Sequence, residues 1–115
     1  ARRQRQMCIR DRVWIVACIE HGDDKPNRHS GASIYPAVQN MLLAARALGL
    51  GANLTTRHLF FEEEAERALE LPEGVRSYAI IPIGYPIGNF GPVRRGDLRE
   101  FVSLDRIGQL WSALN

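Results

Sequence analysis

A chain of 115 residues, 45% hydrophobic and 24% charged, has the composition of one globular domain and leaves little room for a second. No run approaches the roughly 18 apolar residues of a membrane span, and no apolar signal-peptide core follows the basic start. The net charge of +2 is uneven: residues 1–12 carry five arginines and one aspartate, a net of +4, while the other ten basic and twelve acidic side chains give −2. A basic dozen without aromatics, beside a mildly acidic remainder, makes a poor nucleic-acid arm, so no nucleic-acid partner is expected. Cys8 and Cys18 form neither a disulfide framework nor a metal quartet, and a reduced cytoplasmic protein is the expectation.

The head ends in Met7-Cys8-Ile9-Arg10-Asp11-Arg12, which resembles the translation of a transposon-end adapter used in sequencing libraries. Residues 1–12 are therefore expected to be a non-native head, and 13–115 the C-terminal part of a domain whose other half lies upstream. Val13 to Cys18 is a β-branched and aromatic run that predicts a buried strand. Glu20 to Ser30 is loop by its Gly, Asp, Asn, Pro and His content. From Ile34 to Leu48 the pattern is helical, with Val38, Met41, Leu42, Ala45 and Leu48 on one face. Ser30 or Ser33 is the expected cap, with Pro36 in the first turn. Only Gln39, Asn40 and Arg46 are clearly polar, so this helix should be buried nearly all round, with a partner subunit as cover. Gly49 or Gly51 supplies the left-handed residue that ends it.

Ala52 to Thr56 predicts a brief strand, and Glu62 to Leu71 a second helix with carboxylates in its first turn, stopped by Pro72-Glu73-Gly74. The run Glu62-Glu63-Glu64 reads as a solvated helix start. Ser77 to Tyr85 predicts a core strand in which Pro82 places a defect or an edge. Pro86 to Gly96 is a Gly/Pro-rich loop carrying Arg94 and Arg95, and Asp97 to Asn115 looks like an arm that packs on something else.

Few of the familiar chemical constellations are present. Cys18 and His21 make one half-pair of metal ligands, and His29 and His58 are scattered, so no metal is expected. There is no Gly-x-Ser-x-Gly elbow. Leu48-Gly49-Leu50-Gly51 follows a helix and lacks the third glycine of a dinucleotide fingerprint. Arg94 and Arg95, after three glycines, have the donor geometry to grip a phosphate, or else are solvated loop cations.

Two segments carry a family resemblance. Tyr35-Pro36-Ala37-Val38-Gln39-Asn40-Met41-Leu42-Leu43-Ala44-Ala45-Arg46-Ala47-Leu48-Gly49-Leu50-Gly51 resembles the central helix of the nitroreductase family. Ile80-Ile81-Pro82-Ile83-Gly84-Tyr85-Pro86 resembles that family's late core strand, followed by its Pro/Gly loop and arginine pair. The likeness runs from Val13 to about Leu104. It implies an α+β fold, here a fragment of a mixed β-sheet flanked by helices, with the long buried helix at a homodimer interface. It also implies FMN, with NAD(P)H as co-substrate and a nitroaromatic, quinone or similar small molecule as electron acceptor. The flavin carries such chemistry, and no catalytic side chain is assigned. Carried over by position, Leu54, Thr55 and Thr56 would lie along the isoalloxazine near N5, and Arg94 and Arg95 would hold the phosphate. The family's N-terminal phosphate and ribose site has no counterpart, so this chain alone is expected to bind FMN poorly and to expose apolar surface. Relatives on the same scaffold that dehalogenate or break down flavins, and a non-catalytic fragment, are the alternatives.

Overall fold

The computed structural model describes residues 13–110; the adapter-like head and the last five residues lie outside the described residues. In chain order the elements are strand β1 (Val13–Glu20), helix α1 (Ser30–Ala47), strand β2 (Gly51–Ala52), a 3-10 turn (Arg57–Phe61), helix α2 (Glu62–Ala68), strand β3 (Val75–Gly84) and a second 3-10 turn (Leu98–Glu100). The three strands form one sheet in the order β1-β3-β2. Both pairings are antiparallel; a parallel neighbour would have to come from outside these residues. The α+β class is the one expected.

β3 is central because it is the most apolar strand. Ala79 and Ile81 are fully buried, and Tyr78 and Ile80 nearly so. Along β1 the register is regular from Val13↔Ile83 to Ala17↔Ala79, then shifts so that Cys18 faces Ser77 and Tyr78 is left as an extra residue. Such a bulge re-aims a side chain. The Tyr78 hydroxyl lies 2.6 Å from His21 Nε2, and its carbonyl accepts from the Tyr35 hydroxyl at 3.3 Å.

On the other side Gly51 pairs with Gly84 and Ala52 with Ile83, and Thr55 pairs with Ile80 in the same register. The interruption falls opposite Pro82. Its carbonyl accepts from the Asn53 N–H at 3.3 Å, but a proline has no N–H to return. The expected strand Ala52–Thr56 is therefore shortened to two residues and one bridge. Pro82 is the defect that its place in the sequence predicts.

Helix α1 starts four residues before the predicted Ile34, and neither serine caps it. Asn27 Oδ1 accepts from the His29 and Ser30 N–H groups at 2.8 and 3.2 Å, and Ser30 Oγ accepts from the Asn27 N–H at 3.1 Å. Because this side chain nucleates the helix earlier, Pro36 sits inside it instead of in the first turn. At the other end, Leu50 N–H donates to Ala45 O and Gly49 N–H to Arg46 O, with Gly49 at φ +77°. This Schellman end is the predicted use of Gly49, whereas Gly51 is a buried strand residue. α2 closes in the same way on Glu66 O and Arg67 O, but its left-handed residue is Glu70 at φ +53°. The helix thus ends at Ala68, ahead of the predicted stop at Pro72-Glu73-Gly74.

α1 packs on all three strands, with Val38 and Ala45 buried. Among the described residues the helix is covered on one face only: Leu43 is 58% exposed and Leu48, just past its end, 77%. The expected all-round burial is therefore not met by the chain's own residues. Exposed apolar side chains continue in the tail, at Leu98, Phe101, Ile107 and Leu110. Among the described residues no helix is long and apolar enough to cross a membrane.

Ile81 is the largest side chain of β3 that is completely buried. Ile81→Val should cost about 0.5–1.5 kcal/mol and Ile81→Ala about 2–5 kcal/mol in denaturant unfolding. Equal, small losses for both would place Ile81 outside the core.

Candidate functional site

The residues expected along a flavin ring lie on the broken edge of the sheet. Asn53 and Thr55 turn their amides to β3, donating to Pro82 O and Ile80 O. The alternation of an extended segment then directs the amide of Leu54 away from the sheet. Thr55 is the least available of the three. Its N–H is spent on Ile80 O at 2.9 Å, its carbonyl accepts from the Ile80 N–H, and its Oγ1 accepts from the Arg57 N–H at 3.3 Å. The backbone of Thr55 thus cannot serve a ligand, and only its hydroxyl proton is left to donate. Thr56 begins the 3-10 turn and is exposed.

Arg94 and Arg95 lie in a loop outside every helix and strand, and both are exposed. Among the described residues neither forms an ion pair, in contrast to Arg76 and Arg99. No hydrogen bond or ion pair among the described residues joins them to Leu54–Thr56. Nearby, Asp97 accepts three side-chain hydrogen bonds from Arg99 and one from its N–H, which together lower the Asp97 pKa.

A second polar cluster, which no sequence pattern signalled, ties α2 to β3. Glu66 Oε1 accepts from both the N–H and the hydroxyl of Ser77, at 2.9 and 3.1 Å. Glu66 Oε2 pairs with Arg76 Nε at 3.1 Å, and Arg76 also pairs with Glu62. Burial by itself would lower the Arg76 pKa, but Glu66 and Glu62 outweigh it and raise it. Glu62 is therefore not the solvated residue its acidic run implied. His58 Nε2 lies 3.0 Å from Ser77 Oγ. With the serine proton directed to Glu66, the donor between His58 and Ser77 Oγ is His58 Nε2, and Nδ1 is buried with no hydrogen-bond partner among the described residues. Serine, histidine and carboxylate meet here in the wrong order for nucleophilic catalysis. The carboxylate takes the serine and not the histidine, and Ser77 is 3% exposed. The cluster is structural.

Cys18, across the ladder from Ser77, has its pKa raised by burial first and by Glu66 second. Among the described residues no group of three or more His, Cys, Asp or Glu is placed to hold a metal ion. A cleft of about 290 Å³ opens beside this cluster, between the loop before α1 and the 3-10 turn, lined in part by Arg28, Tyr35, Leu59 and Tyr78. Neither Leu54–Thr56 nor the arginine pair lines it.

A profile described as "Nitroreductase family" matches residues 4–85. The chain belongs to the nitroreductase family. Over 97 residues it is 44% identical to a candidate NADH dehydrogenase/NAD(P)H nitroreductase of Methanothermobacter thermautotrophicus, covering 83% of this chain and 48% of that protein. Among solved structures, a candidate NADH dehydrogenase/NAD(P)H nitroreductase of Bacteroides thetaiotaomicron superposes with a TM-score of 0.68 at 26% identity, over 84% of this chain and 56% of the other. A candidate NADH oxidase of Clostridium acetobutylicum gives 0.69 at 19% identity, over 84% and 59%, and speaks for the fold alone. This nitroreductase chain thus spans about half the length of the relatives it matches.

Two outcomes test the Glu66 cluster. Glu66→Ala strands the Ser77 N–H and hydroxyl in a buried position and should cost about 1–3 kcal/mol of stability, with Glu66→Gln retaining part of it; a neutral Glu66→Ala would remove the cluster's structural role. Cys18 should alkylate more slowly than an unhindered thiol at neutral pH once Cys8 is replaced by serine, and should speed up on denaturation. Because its folded pKa lies above the unfolded one, the neutral thiol's contribution to stability is whole below the unfolded pKa and is lost as pH rises through the folded pKa.

Proposed function

We propose that the whole protein is an FMN-dependent NAD(P)H oxidoreductase of the nitroreductase type, acting as a homodimer. The acceptor class is nitroaromatic, quinone or a similar small molecule. The observation that carries this reading is the arginine pair Arg94-Arg95: two guanidiniums with no carboxylate partner among the described residues, on a glycine-rich loop, in a chain of this family. They fit the group in kind, since a dianionic phosphate asks for charge-assisted donors that are not already spent. The outward amide of Leu54 and the hydroxyls of Thr55 and Thr56 offer donors of the strength a flavin ring edge accepts.

FMN, when bound, supplies the centre that accepts and passes on a hydride. The chain's own residues do the rest. Arg94 and Arg95 would hold and neutralise the phosphate, and the sheet edge at Leu54–Thr56 would offer its free donors to the ring. The exposed apolar side of α1, with Leu43 and, just past its end, Leu48, supports the homodimer, because a helix of this composition needs cover that the described residues do not supply.

Arg94→Ala combined with Arg95→Ala in the whole-length protein should weaken FMN binding by about 2–4 kcal/mol, read by flavin fluorescence on titration. Unchanged affinity would return both residues to the solvent. NAD(P)H oxidation with a nitroaromatic or a quinone then decides the acceptor class.

A further inference from the structure

We propose that Arg46 is a positioning residue: its guanidinium, seated on the ring of Phe90, tethers the loop that presents Arg94 and Arg95. This rests on the phosphate role proposed above for those two arginines.

The loop, residues 85–96, is otherwise almost unattached. It contains no helix or strand and is exposed at every position except Pro86. Among the described residues it makes no backbone hydrogen bond and no ion pair. A Cβ at Gly88 or Gly91 would meet nothing within 4 Å, so neither glycine is wedged against the body of the protein. The near end is held at Gly84 by β3, while Gly96 lies against the ring of Phe101, five residues on in the same exposed tail, which a Cβ there would strike at 2.7 Å. In the middle stands one specific contact. The Arg46 Cζ lies 3.6 Å from the centroid of the Phe90 ring, inside the range of a cation–π interaction.

Arg46 is well suited to be the fixed partner. It sits in the last turn of α1, where a cation is favoured by the helix dipole. Its carbonyl accepts from the Gly49 N–H at 3.0 Å, so the Schellman end that closes the helix also locks the backbone that carries this side chain. Phe90 divides the loop close to its midpoint. Pinning it shortens the free span before Arg94 to three residues, which removes most of the positions those guanidiniums would otherwise sample.

The contact is partly exposed, with Phe90 at 41%, so the expected effects are modest and differ by side-chain type. In the FMN-free whole-length protein, native trypsin cleavage after Arg94 and Arg95, followed by mass spectrometry, reads the freedom of the loop. Phe90→Leu keeps the bulk and loses the ring; it should speed this cleavage about two- to fivefold. Phe90→Trp, which offers a better face to a cation, should leave it unchanged or slow it. Arg46→Gln should match Phe90→Leu, Arg46→Lys should restore much of the protection, and the double variant should be no worse than either single one. FMN affinity should fall by the same factor in Phe90→Leu. Equal cleavage of the Leu and Trp variants would overturn the tether. Faster cleavage with FMN affinity intact, in a protein whose affinity Arg94→Ala does lower, would overturn the positioning role. If Arg94→Ala and Arg95→Ala leave FMN binding untouched, the phosphate reading fails and with it the positioning role, while cleavage alone decides the tether.

Discussion

A proline in a strand with neighbours on both edges sets the shape of everything beside it. Pro82 lies in β3, and its nitrogen faces β2 because its carbonyl accepts from Asn53 on that side. With no proton to donate, it leaves the Asn53 carbonyl without its ladder partner. Pairing lapses for two residues and resumes at Thr55. On the opposite edge the ladder passes Pro82 unbroken, since Ile81 and Ile83 carry it to β1, and its one shift lies further along, at Ala17/Cys18. One missing hydrogen thus interrupts the β2 side while the β1 side runs past the proline. The interrupted side is where the chain turns from α1 towards the 3-10 helix.

The second organising feature is the way α2 is fastened. A seven-residue helix is too short to be stable by itself. Its carboxylates compensate by reaching back to β3: Glu66 satisfies Ser77, and Glu62 and Glu66 share Arg76. An apolar pair in place of Glu66 and Ser77 would pack as well, but it would fix the helix less narrowly in rotation, because hydrogen bonds are directional and dispersion is not. Glu70 shows the cost of this arrangement. It takes a left-handed conformation that a glycine would adopt without strain, at about 1–2 kcal/mol, so that α2 ends early enough for the chain to return as β3.

What could be read in the sequence follows from which forces are local. β1, α1 and β3 are long runs of matching periodicity, and Gly49 ended α1 as its lack of a Cβ suggests. The start of α1 was not legible from its serines because the capping acceptor is Asn27, in a stretch whose composition signals only loop. The bulge at Tyr78 was invisible too: it is a property of register between strands some sixty residues apart in the chain, and no local pattern encodes it. For the candidate site, the arginine pair and the segment Leu54–Thr56 were located by likeness to a family, and the exposure of Arg94 and Arg95 accords with an unspent charge. That Thr55 has already given its backbone to Ile80 could be learned only from the pairing. The Glu66 cluster carries no signature, since Ser77 and Arg76 are unremarkable strand residues until α2 is folded against them.

The two halves of the candidate site differ in stiffness, and this has a consequence under the proposed function. Leu54 lies between two residues bonded to the central strand, so its outward amide can move only with the sheet. Arg94 and Arg95 lie on a loop that leaves β3 at Gly84 and touches α1 at Phe90. A ligand with a planar end and a phosphate end would therefore meet a fixed surface for the first and an adaptable grip for the second. Tolerance to small changes of shape belongs at the phosphate, where a charge-assisted bond acts over a range of angles and long arginine side chains take up the slack. Strictness belongs at the ring, where a displacement of about 1 Å is enough to spoil alignment for hydride transfer. Under that reading the sheet edge would be the stricter element and the loop the more tolerant one, with the proposed Arg46–Phe90 tether limiting the loop.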